Sequence, residues 1–135
     1  MKEEPELRCV IQQSAERVRE LHERTNETFK LRDSSPDARA EWSHACEEFH
    51  RHYDALAFPG GYAAGLEKLR AGDTRTIEAA LAFLEARPYF FRSQYIRTKL
   101  KRLLKHAQLT ALQSARLEAA LDSDRRRKRD SSNAA

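Results

Sequence analysis

The chain has 135 residues, the length of one ordinary domain, and carries 25 basic and 21 acidic side chains. Charged residues make up 34% and hydrophobic ones 40%, so the apolar side chains must be gathered on narrow stripes, as amphipathic helices gather them. Four Gly and four Pro are too few to turn many short strands, which argues against a sandwich or barrel and against a Gly-rich phosphate loop. No apolar run approaches the roughly 18 residues of a membrane span, and no signal-type stretch follows Met1, so a soluble cytoplasmic protein without a membrane partner is expected.

The first expected helix covers about Pro5 to Arg32. Leu7, Ile11, Ser14, Val18, Leu21, Thr25 and Phe29 recur at alternating steps of three and four, the stripe of one helical face. Interleaved acids and bases occupy the other faces, and Cys9 falls on the far side. Asp33-Ser34-Ser35-Pro36 is expected to stop this helix and to start a second one running to about Leu56, Ser being a good N-cap and Pro tolerated in the first turn. Its apolar face is Trp42, Ala45, Cys46, Phe49, Tyr53 and Leu56. Phe58-Pro59-Gly60-Gly61 signals a turn. A short helix follows from Tyr62 to Arg70, and Asp73 is the expected cap of a fourth carrying Ile77, Ala80, Leu81 and Leu84.

Pro88 interrupts that pattern and is expected to open a fifth helix reaching about His106. Tyr89, Ile96, Leu100, Leu103, Leu104 and Ala107 share its apolar face. Thr110 to Gln113 fits a capping box at the start of a sixth helix ending near Asp122. Residues 123–135 hold Arg125-Arg126-Arg127-Lys128-Arg129 and small polar residues with nothing to bury, the composition of a disordered basic tail. The expected fold is all-α: an all-helical domain over 1–122, a compact bundle of five or six helices, with a helical-hairpin stack as the second choice. Trp42, Phe49, Tyr53, Ile77, Leu81, Leu84, Ile96, Leu100 and Leu103 form its expected core.

Charge is divided unevenly along the chain. Residues 1–73 carry 11 basic and 15 acidic side chains, and residues 74–135 carry 14 basic and 6 acidic ones. From Arg87 to Ala107 there are seven basic residues and no acid. On a wheel of about 100° per residue the side of this helix away from the core mixes cations with Phe91 and Tyr95. Cations meet phosphates and ring faces stack on unpaired bases, so Arg92, Tyr95, Arg97, Lys99, Lys101, Arg102 and Lys105 form the candidate site for an anionic partner. The competing reading, and the one the sequence favours, packs Phe91 and Tyr95 under a neighbouring helix and leaves the cations as a solvated rim.

Other constellations point to packing. His44, Cys46, Glu47, Glu48, His50, His52 and Asp54 crowd one helix without the spacing of a three-ligand metal face. Cys46 and His50 lack oxyanion donors and a third orienting group, which a nucleophile pair needs. Phe58 to Tyr62 and Arg87 to Phe91 are aromatic-rich junctions that suit a satellite cluster locking two turns, with an aromatic-lined recess as the alternative. No catalytic motif, metal site or cofactor site is expected. The leading functional expectation is a non-enzymatic adaptor or regulator offering a helical face to a protein partner or to a second copy of itself; the alternative is nucleic-acid binding through the fifth helix and the basic tail.

Overall fold

The computed structural model describes residues 3–133. They form six helices and, among the described residues, no strand: α1 (Glu3–Leu31), α2 (Pro36–Ala57), α3 (Tyr62–Arg70), α4 (Thr74–Ala86), α5 (Ser93–Lys105) and α6 (Ala111–Asn133). The arrangement is a bundle built around α4, which touches α1, α3, α5 and α6. Composition explains that role, because α4 is the most apolar helix, and Thr76, Ile77 and every residue from Ala79 to Leu84 are buried. A helix apolar on most faces has no stable place except the centre.

Helices α1 and α2 form an antiparallel hairpin. Ile11, Ala15, Val18 and Leu21 make the buried stripe of α1, and opposite pairs such as Arg24–Glu48 at 3.0 Å and Phe29–Trp42 at 5.8 Å between ring centroids set its register. The stripe runs out toward the tip, where Phe29 is exposed but covered on one face by the Arg32 guanidinium, 3.6 Å from the ring centroid. Ser35 caps α2 by accepting from the Ala38 N–H at 3.0 Å, and Asp73 caps α4 by accepting from the Thr76 N–H at the same distance. Thr110 and Gln113 complete the reciprocal box at the start of α6, at 3.0 and 3.1 Å. Each cap satisfies a backbone donor the helix itself leaves open.

Six of the nine expected core residues are buried: Phe49, Ile77, Leu81, Leu84, Ile96 and Leu100; Trp42, Tyr53 and Leu103 are half-buried. The place of the missing bulk is taken by Phe58, Phe83 and Phe90. Phe58 follows α2 and turns inward onto Phe83, 6.2 Å between centroids, and Phe83 meets Phe90 edge-on at 6.3 Å. Gly65 makes room for this packing, since a Cβ there would lie 2.6 Å from the Phe58 ring. The two aromatic junctions therefore join through the core.

Two boundaries differ from expectation. Pro88 does not open α5, which starts at Ser93. Phe90 is buried within the connection, and bonds from α1 and α2 hold its course: Gln12 and Arg19 of α1 donate to the carbonyls of Ala86, at the end of α4, and Tyr89, and Tyr53 of α2 donates to that of Phe91, each at 2.6 Å. The expected disordered tail is the second difference, because α6 continues as helix to Asn133, across the boundary expected at 122. No Gly or Pro interrupts residues 111–133, and the Asp124 carboxylate is held by side chains of the preceding elements.

Candidate anion-binding surface of α5 and α6

The seven candidate residues divide into two groups. Arg97 is buried, and its guanidinium donates to the Leu84 carbonyl at 3.0 Å and to both oxygens of Asp124 at 3.1 and 2.8 Å. Lys101 reaches the same carboxylate at 2.8 Å. These two are not part of the outward face; they fasten α6 to α5. Arg92, Tyr95, Arg102 and Lys105 are exposed and Lys99 is half-buried. Gln94, Tyr95, Thr98, Lys99 and Arg102 line a shallow recess of about 410 Å³.

Tyr95 departs most from the favoured sequence reading. It is 73% exposed and lies under no neighbouring helix. Phe91 follows the packing reading in part, meeting Phe49 edge-on at 5.8 Å while remaining 40% exposed. Arg92 stands 5.3 Å from the Phe91 ring centroid. Tyr89, 78% exposed, and Phe91 border an adjoining recess of about 480 Å³ against Arg19 and His22 of α1. Gln94 lines both recesses, so the two surfaces are continuous.

Asp124 was missed by sequence reasoning. Both of its oxygens are engaged, by Arg97, Lys101 and Arg87, the last also donating to Ser123 at 3.2 Å. Burial alone would raise its pKa, but the hydrogen bonds and charges of these three cations outweigh that effect and hold the carboxyl far below the usual range. No local signal marks the residue, because its partners lie 23 to 37 positions earlier in the chain. Beside it, Arg87, Arg97, Lys101, Arg127 and Lys128 surround a recess of about 500 Å³.

The polar set on α2 is dispersed. Glu48 pairs with Arg24, and Asp54 accepts from the Ala63 N–H at 3.0 Å, where it caps α3. Among the described residues no group of three or more His, Cys, Asp or Glu side chains is placed to hold a metal ion, and no helix is long and apolar enough to cross a membrane. Compared with protein-family models, curated proteins and solved structures, the chain matches none.

Proposed function

We propose that this is a non-enzymatic binding protein that docks a macromolecule on the solvent face of α5, and that single-stranded nucleic acid is the partner this face suits best. The observation that carries the reading is Tyr95, an exposed ring on an acid-free helix, sharing a recess with Lys99 and Arg102. A free ring face stacks on any unpaired base, and flanking cations follow the phosphate chain. Duplex DNA offers no unpaired base to such a ring. A protein partner seated on α1 has less support, since Val10 and Phe29, both exposed, lie about 28 Å apart along the helix and form no single patch.

The test is binding of a labelled single-stranded oligonucleotide over a salt series. Counterion release gives a log-log slope of about −0.7 per neutralised phosphate, and Arg102→Glu with Lys105→Glu should flatten it by more than about one unit. Tyr95→Ala should weaken binding by about 1–3 kcal/mol with the slope nearly intact, because it removes stacking and no charge. Absence of binding to DNA or RNA at about 50 mM salt would overturn the nucleic-acid reading and leave an acidic protein as the occupant of the face.

A further inference from the structure

We infer that the recess between α5 and α6 is a separate anion site that takes a phosphoryl group, next to the carboxylate that already occupies one end of it. Its lining sets Arg87, Arg97, Lys101, Arg127 and Lys128 against the single acid Asp124. Five cations and one carboxylate leave a local excess of four positive charges within about 500 Å³. One carboxylate cannot neutralise five cations around a single recess, so the site attracts a further anion.

The site is built rather than a chance meeting of surface lysines. Arg97 is 5% exposed, and its guanidinium is fixed by the Leu84 carbonyl at one side and Asp124 at the other. The side chains of Arg87 and Lys101 retain about a quarter of their exposure, 27% and 21%, so an anion beside them is only partly screened by water. Arg127 and Lys128 stand three and four residues after Asp124, which puts them on the same side of α6. Among the described residues neither of them has an ion-pair partner. A phosphoryl group presents three strong acceptor oxygens, enough to engage these two together with the outer N–H groups of Arg87 and Lys101.

This inference does not depend on stacking at Tyr95. The same chemistry can come from a free diphosphate-type ligand or from one backbone phosphate of a bound strand, and pyrophosphate titrated into the full chain probes both. Saturable binding is expected at low salt, and Arg127→Gln with Lys128→Gln should weaken it at least about five-fold, an exposed charge-assisted pair being lost at each position. The thermal midpoint of that double variant should stay at the wild-type value, so lost binding will not reflect lost folding. Tyr95→Ala should leave pyrophosphate affinity unchanged. Displacement of pyrophosphate by a single-stranded oligonucleotide would support the site and assign it to backbone phosphate; simultaneous binding would support it as a seat for a free ligand. No saturable binding below about 5 mM, or equal binding by the double variant, would overturn the inference.

Discussion

Helix α6 is fastened at two points by ion networks to which it contributes charges of opposite sign, Arg116 in one and Asp124 in the other. Near its start, Arg116 reaches Glu78 at 2.7 Å and Glu85 at 2.8 and 2.9 Å, while Arg8 of α1 adds a bond to Glu85 at 2.9 Å. Eight residues on, Asp124 is a lone carboxylate among Arg87, Arg97 and Lys101. The first network sets two guanidiniums against two carboxylates. The second concentrates three cations on one acid. Both draw α6 onto the bundle, but charge balance separates their consequences: the Arg116 network leaves no excess charge in these pairs, whereas the Asp124 network leaves a positive field at the surface. An imbalance of this kind is the feature to look for when a structural ion cluster also serves a partner.

The largest expected effect lies in the apolar layer beneath both networks. Leu100, 1% exposed, replaced by Ala should lose about 2–5 kcal/mol in chemical denaturation. A loss under about 0.5 kcal/mol would mean that the ion networks, and not the core, hold α5. Next comes a pair of truncations. Ending the chain after Ser123 removes Asp124 and should lower stability by about 2 kcal/mol, because three partly buried cations lose their carboxylate. Ending it after Arg127 keeps the clamp and should change stability by less than about 0.5 kcal/mol. Equal midpoints for the two would erase the distinction between clamp and tail.

Acid should take the networks apart in order. At Glu78 and Glu85 burial would raise the pKa, but bonds from Gln113 and Arg116 and from Arg116 and Arg8 respectively win, so both carboxyls lie below their ordinary value. A carboxyl depressed in the folded state contributes fully above its unfolded pKa, and that contribution drains as pH falls toward the folded value. Stability should therefore begin to fall below about pH 5, and Glu78→Gln with Glu85→Gln should flatten the early part of the fall by about 1 kcal/mol, reduced by solvent screening. Asp124 is depressed further, so Asp124→Asn should flatten the curve down to lower pH. Identical acid profiles for the two variants would show that the networks do not differ as their charge balance implies.

The caps were readable in the sequence because each is a three-residue relation: Ser35 to Ala38, Asp73 to Thr76, Thr110 to Gln113. The apolar stripes of α1, α4 and α5 were equally local. What escaped depended on distant residues. The start of α5 is set by where Phe90 goes, and that is fixed by Phe83 and Tyr53. Arg97 and Lys101 looked like members of an outward basic run because their flank of α5 faces α6, and nothing within the helix reveals that neighbour. Asp124 was hidden in a highly charged stretch for the same reason. At the candidate site the exposed Tyr95 was visible as a residue but not as a surface, since its freedom comes from the absence of any helix packed over it.

The connection from α4 to α5 begins and ends in the left-handed backbone region, at Arg87 with φ 51° and Arg92 with φ 67°. Glycine adopts that conformation freely, whereas an L side chain there raises the energy by about 1 kcal/mol. Stability alone would thus favour glycine at both positions, yet this chain has a cation at each. At Arg87 the return is visible in the bonds to Asp124 and Ser123. At Arg92 the guanidinium lies over the partly exposed ring of Phe91, and among the described residues it has no ion-pair partner, so folding gains little from it. Arg92→Gly should accordingly raise stability by about 0.5–1 kcal/mol while weakening oligonucleotide binding, opposite signs from one substitution. On the proposed reading of the α5 face, folding and binding make competing demands at this one position.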